Sequence, residues 1–312
     1  MHIHVQCVSV SRSYLAQYPS FLFHCSMAYL LVVSLIWAFS FGLIKDNLHG
    51  LDASFVSFVR MAFSLAVFLP FLHLRGITRD RAMKLMLLGA VQFGLMYVLY
   101  VASFKTLAAH QVALYACMTP IFVVALEDAA ERRFRPRFAF AALLAVGGAV
   151  VLGTGILGAP EAWRGFLLVQ GSNVCFAIGQ VWYRRLGSGP GAVHSEFALP
   201  YVGALIVTFA AVVLSPDSVP ATLTFRQVAT LGYLGLLASG LCFFLWNLGA
   251  TRTNAGVLAV FNNVKVPLGV FVSLVVFGES ANWVRLVIAG TMIAVAFWIG
   301  TKSGVKMAEN AG

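Results

Sequence analysis

The sequence predicts an all-α membrane protein with ten transmembrane helices arranged as two inverted five-helix repeats. Three observations carry this reading. Sixty per cent of the 312 residues are hydrophobic and only 10% are charged, against roughly 25% charged in ordinary soluble domains. So few charges cannot cover a water-facing surface, whereas lipid tolerates an apolar exterior. The apolar residues fall into ten continuous runs, most of them near the length of about 20 residues that a spanning helix needs. The two halves of the chain also repeat a pattern around a proline-bearing helix.

The first five runs are Met27–Ile44, Ala53–His73, Met83–Phe104, Val112–Leu126 and Phe138–Ile156. The second five are Gly165–Tyr183, Phe197–Leu214, Val228–Leu248, Ala255–Phe277 and Trp283–Thr301. The fourth is short and extends back toward Ala108. A β-barrel would show segments of about ten residues with alternating polarity; these runs are unbroken and too long. The domains expected are therefore a first repeat over 27–156, a second over 165–301 and a cytoplasmic tail over 302–312. Residues 1–26 lack a basic start, a clean apolar stretch and a small-residue cleavage site. They read as an N-terminal extension of no clear meaning, with Met27 the expected natural start.

Orientation follows from the basic residues in the connections. With the amino terminus in the cytoplasm, 14 of the 21 lysines and arginines fall on the cytoplasmic side, among them Arg75, Arg81, Arg132, Arg184 and Arg252. Only Lys45, Lys105, Arg164, Arg226 and Arg285 fall on the other side. Both termini are then cytoplasmic. In a soluble chain a net charge of +10 would raise nucleic acid as a partner. Here the charge sits in short loops, and the partners expected are the lipid bilayer and a small molecule, with no nucleic acid. Oligomeric state is not readable.

Aligning Pro120 with Pro267 pairs Lys105 with Arg252, Ala102 with Gly249 and Ala109 with Gly256. Each repeat holds an odd number of spans, so the two must insert with opposite orientation. Inverted repeats are a common plan of secondary transporters, with the substrate near the midplane.

Ionisable residues inside a span are costly and mark function by default. Two basic residues qualify, Arg60 in the second span and Lys265 in the ninth, and no Asp or Glu lies as deep. Two buried cations without an acid suggest an anionic ligand; snorkelling of Arg60 and carbonyl bonding by Lys265 are the structural alternatives. Pro267 removes a backbone donor and frees carbonyls one turn earlier, where Asn262, Asn263 and Lys265 stand as a polar cup. Pro120 does the same in the fourth span beside Tyr115 and Thr119, and both prolines are read as helix breaks. Asn173 and Gln180 share a face of the sixth span, seven residues apart. Gln92 and Asn247 are further polar groups within spans. Trp37, Phe39, Tyr97 and Trp246 are expected near a central cavity. Ala141, Ala145, Gly148 and Ala149 read as a helix-packing face.

The five cysteines form no C-x-x-C pair or metal-ligand spacing. No phosphate loop or nucleophile motif occurs. No cofactor or metal is expected, transport is secondary or facilitative, and enzymatic activity is not expected.

The paired proline helices, the inverted five-helix repeats and the run Trp37-Ala38-Phe39-Ser40-Phe41 resemble the drug/metabolite transporter superfamily, in the branch built from two EamA repeats. Further stretches are similar to the biotin-transporting members of the carboxylate/amino acid/amine transporter family. They include Phe68-Leu69-Pro70-Phe71-Leu72, Leu167-Leu168-Val169-Gln170 with Ser172-Asn173, Trp246-Asn247, and Asn262-Asn263 with Val266-Pro267. The family pattern carries histidine where this chain has Lys265, so basic character is kept. The resemblance implies import of biotin or a similar carboxylate across the inner membrane of a bacterium, by alternating access and with a proton as the simplest co-ion. Lys265 or Arg60 would take the carboxylate. Asn262, Asn263, Asn173 or Gln180 would bond the ureido group, and Trp37 and Trp246 would cover the rings. Export of amino acids or related metabolites remains the alternative within transport, and a non-transporting receptor the remote one.

Overall fold

Turn chemistry starts each of three helices at its expected place. The computed structural model describes residues 19–130, 136, 140, 144, 147, 148, 151, 160–187, 193–215, 219–252 and 265–310. Among these the elements used below are α1 (Pro19–Asn47), α2 (Ala53–Phe71), α3 (Arg79–Ser103), α4 (Ala109–Ala130), α5 (Pro160–Leu186), α6 (Val193–Val213), α7 (Phe225–Gly249), α8 (Lys265–Val276) and α9 (Trp283–Asn310). No strand occurs among the described residues. The Asp52 carboxylate accepts the Ser54 N–H at the start of α2, and Thr78 accepts the Arg81 N–H at the start of α3. Thr224 and Gln227 close a reciprocal capping box on α7. Such caps satisfy donors that a helix start leaves unpaired.

Six of these helices, α1 to α4, α6 and α7, are long and apolar enough to cross a membrane. The 27-residue α5 has the length, about 40 Å at 1.5 Å per residue, but carries more polar side chains. α1 begins at Pro19, eight residues before Met27. Most of the fifth expected span, with Ala141, Ala145 and Ala149, lies outside the described residues, as does the start of the ninth.

The outward faces are apolar. Leu31, Leu35 and Phe39 of α1, Ile206, Phe209 and Val213 of α6, and Val284, Val287 and Ile288 of α9 are exposed, which suits lipid. The inward faces pack aromatic on aromatic. Phe93 lies 4.7 Å from Phe243 and 5.1 Å from Tyr201 between ring centroids, and Phe68 lies 5.2 Å from Phe197. The tightest backbone approach joins α3 to α6. A β-carbon on Gly89 would stand 1.9 Å from the Pro200 carbonyl oxygen, and one on Gly203 would stand 1.8 Å from that of Met86. Small residues permit this proximity, and dispersion across it supplies the attraction that lipid cannot.

Ion pairs gather at the two ends of the bundle. At one end Arg81 grips Glu196 with two bonds of 2.6 and 2.7 Å, and Arg184 meets Glu127 at 2.9 Å. At the other, Lys105 meets Asp52 at 3.1 Å, and Glu279 caps α4. Its carboxylate accepts the N–H groups of Ala109 at 2.8 Å and His110 at 3.1 Å, the His110 ring nitrogen at 2.8 Å, and the Ser273 hydroxyl. Burial alone would raise the Glu279 carboxyl. The hydrogen bonds from His110, Ser273 and the two backbone groups outweigh it and hold the carboxyl down to about 2, from an ordinary 4.5.

Two predictions follow from this packing. Gly203→Val is expected to lower the thermal midpoint in detergent, at an overpacking cost of roughly 1–3 kcal/mol. Gly290→Ala, which meets nothing within 4 Å among the described residues, is expected not to lower it. A depressed carboxylate stabilises the fold above its unfolded value and loses that contribution as pH falls through its folded value. The stability that Glu279 supplies is therefore present above about 4.5 and lost toward about 2. Thermal midpoints measured across that window are expected to fall less steeply in Glu279→Gln.

Candidate functional site

The site begins with a missing hydrogen. Pro120 has no N–H, so the Ala116 carbonyl one turn earlier loses its helical partner. α4 answers with a 3₁₀ turn over Ala116–Met118, in which the Thr119 N–H bonds to Ala116. That shift in turn frees the Tyr115 carbonyl. The Asn173 side-chain amide from α5 takes it at 3.0 Å. Thr119 Oγ1 lies 2.9 Å from the Ala116 oxygen and 3.0 Å from Asn173 Oδ1, one hydroxyl hydrogen serving two acceptors. The break is thus satisfied from within the protein, as a membrane interior requires. It leaves a wall of short polar groups instead of a smooth helix.

That wall faces a cavity between α1, α2, α3, α4, α5, α7 and α8, enclosing about 550 Å³ of space not filled by atoms, its mouth included. Lys265, at the described start of α8, reaches in with its Nζ 4.7 Å from the Trp37 ring centroid and 5.8 Å from that of Phe176. Only 9% of Lys265 is exposed. Aromatic faces attract a cation, more strongly once it is desolvated. Trp37 is itself fixed, donating its Nε1 hydrogen to the Ala238 carbonyl at 2.8 Å.

Arg60 lines the same cavity and is 1% exposed. Its guanidinium carbon lies 4.0 Å from the Tyr97 ring centroid, and its Nε donates to Ser239 Oγ at 3.1 Å. Its Nη1 is buried with no hydrogen-bond partner among the described residues. No Asp or Glu lines the cavity among the described residues.

Trp37, Arg60, Tyr97, Thr119, Asn173 and Lys265, all singled out from sequence, thus meet here. Two stand behind the wall. Trp246 is fully buried and donates to Gln180 Oε1 at 3.3 Å, while its rings press on Trp37 at 5.3 Å. Asn262 and Asn263 lie outside the described residues. Pro267 is exposed on the outer side of α8. Phe39, expected near the cavity, is 44% exposed and points outward; two residues from Trp37 on a helix is more than half a turn away. Sequence reading missed Ser40, Tyr100, Ser172, Phe176 and Phe243, which also line the cavity. Helical spacing held a signal for three of them. Ser40 follows Trp37 by three, Tyr100 follows Tyr97 by three, and Phe176 follows Asn173 by three, so each shares a face with a residue already suspected.

Comparison with known proteins agrees with this architecture. The EamA-like transporter family matches residues 25–154 and 163–301. A biotin transporter of Salmonella typhimurium is 37% identical over 279 residues, covering 88% of this chain and 93% of its own. One from Escherichia coli is 36% identical over 283 residues, with the same coverage. A probable biotin transporter of Pseudomonas aeruginosa is 39% identical over 278 residues, 88% of this chain and 96% of that one. A protein crystal structure at 20% identity superposes with a TM-score of 0.62 over 90% of this chain and 98% of the other, a likeness of fold alone. This chain belongs to the EamA-like transporter family of the drug/metabolite transporter superfamily: it is a multi-pass membrane transporter and not an enzyme.

Proposed function

We propose that this transporter imports biotin, or a small carboxylate closely like it, by alternating access around the central cavity. The observation that carries the proposal is the pairing of two buried cations, Lys265 and Arg60, on aromatic walls with no carboxylate in the described lining. An anion entering that cavity would meet both cations. The names of the relatives supply the particular anion. Biotin offers a carboxylate for the cations and an apolar bicycle for Trp37 and Phe176. Its ureido group has donors and an acceptor for Ser40, Ser172 and Asn173, with Asn262 and Asn263 on the adjoining stretch of chain. Gln180 and Trp246 hold the aromatic wall from behind. Pro120 breaks α4 beside the cavity, and we read Pro267 as the matching break beside Lys265.

We also read ten spans in two inverted repeats, with both termini cytoplasmic in a bacterial inner membrane. The family match falls in two segments of similar length. Wide π-helical turns occur in α3 over Ala90–Leu95 and in α7 over Tyr233–Leu241; displacing the first by the 147 residues that separate Pro120 from Pro267 lands it on the end of the second. Such turns cluster at functional sites.

Import of one negative charge against an inside-negative potential costs about 2.3 kcal/mol per 100 mV. A co-transported proton removes that cost, and Lys265 is the titratable cation beside the anion. Uptake is then expected to rise as external pH is lowered and to fall when the proton gradient is dissipated.

The direct test is uptake of labelled biotin by cells lacking their own importer. Saturable uptake, competed by unlabelled biotin and abolished in Lys265→Glu, is expected; Lys265→Arg, which keeps the charge but does not titrate, is expected to bind biotin and to lose the dependence of uptake on external pH. No uptake despite good membrane expression would favour export of amino acids or related metabolites. For topology, single cysteines at the exposed positions His49 and Ser280 are expected to react with an impermeant thiol reagent from one side. Those at Arg75 and Arg185 should react only from the other. Labelling of all four from one side would overturn the arrangement.

A further inference from the structure

We propose that Ser239 is a positioning residue for the carboxylate of the substrate, setting the Arg60 guanidinium and the Tyr97 phenol in one fixed geometry from behind the cavity wall. The inference rests on the carboxylate reading above and assigns a role to a residue that does not itself line the cavity.

Ser239 is fully buried in the π-helical part of α7. Both of its polar groups are committed. Its carbonyl accepts the Tyr201 hydroxyl at 2.6 Å, which ties it to α6. Its side-chain oxygen accepts the Arg60 Nε hydrogen at 3.1 Å and donates to the Tyr97 hydroxyl at 3.0 Å, which ties it to α2 and α3. One hydroxyl therefore joins Arg60 to Tyr97, and the guanidinium has the Tyr97 ring on its face and the serine on its edge. The segment is braced again a turn earlier, where Ser64 Oγ lies 2.9 Å from both the Arg60 and the Gly235 carbonyl oxygens.

The arrangement has a direction. A guanidinium is a planar fork, so pinning its Nε edge fixes where its other nitrogens point. Nη1 is the nitrogen left with no partner among the described residues, although Arg60 lines the cavity. An unpaired buried donor on a charged group is unfavourable, and an acceptor that reaches it from the cavity relieves it. A carboxylate does so best, since charge-assisted bonds to Arg are the strong ones. A neutral carboxamide of the same shape gains much less. Ser239 thus acts on the discrimination between acid and amide and not on the shape of the pocket.

The test compares biotin with its carboxamide as competitors for labelled biotin uptake, in the intact transporter and in three variants. The unaltered protein is expected to prefer the acid. Ser239→Ala is expected to reduce that preference by about tenfold, and Ser239→Thr, which keeps the hydroxyl, to retain it. Tyr97→Phe keeps the ring over the guanidinium but removes the hydroxyl that Ser239 holds, and a smaller loss of the same preference is expected. It decides the question if Ser239→Ala fails to reach the membrane. A variant that weakens both competitors equally would mark Ser239 as a structural link only and overturn the inference, leaving the carboxylate reading in place. Absence of any acid preference in the unaltered protein would overturn that reading and this inference with it.

Discussion

The Lys265 ammonium, held 4.7 Å from the Trp37 ring and 5.8 Å from the Phe176 ring, is the charge that the central architecture has to accommodate. A cation inside a membrane bundle must find its stabilisation within the protein. Two braced aromatic faces supply it. Trp37 is locked by its bond to the Ala238 carbonyl and backed by Trp246, which Gln180 fixes in turn. Phe176 and Asn173 share a face of α5, so the helix that sets the ring also sets the amide that mends the break in α4. The second cation, Arg60, is held separately, with Tyr97 on its face and Ser239 on its Nε edge. Two charges of one sign are thus kept apart on different supports, each facing the same space.

The periphery answers to a different constraint. Outside the cavity the chain has little use for charge, and ion pairs retreat to the bundle ends, where water can share their solvation. Glu279 shows how the ends connect to the middle. It binds the first N–H groups of α4 and the Ser273 hydroxyl of α8. The two helices that carry Thr119 and Lys265 are therefore joined at one end by a single carboxylate. Between the ends, α3 and α6 are drawn together at Gly89 and Gly203, where no side chain intervenes.

Much of this was legible in the sequence, for physical reasons that differ by residue. Arg60 and Lys265 stood out because charge within an apolar run is expensive whatever the fold. Pro120 announced its break because the missing N–H is a local fact. Asn173 could be suspected as a polar residue in a span, but its bond to the Tyr115 carbonyl depends on how α5 meets α4. Ser239 carried no physical signal of its role. A serine in a span is ordinary, and its role exists only because the wide turn of α7 brings it between Arg60 and Tyr97. Phe39 misled for the converse reason. An aromatic beside Trp37 in sequence lies on the opposite side of a helix, and the periodicity of α1 decides the matter. The start of α1 at Pro19 was hidden because residues 19–26 are less uniformly apolar than the run that follows.

Equilibrium binding of labelled biotin to the purified transporter in detergent asks whether this cavity holds a carboxylate through Lys265. Binding is expected to be saturable, to stabilise the protein against thermal unfolding as a ligand of the folded state must, and to be lost in Lys265→Met while that variant still folds. Undiminished binding in Lys265→Met would contradict the account.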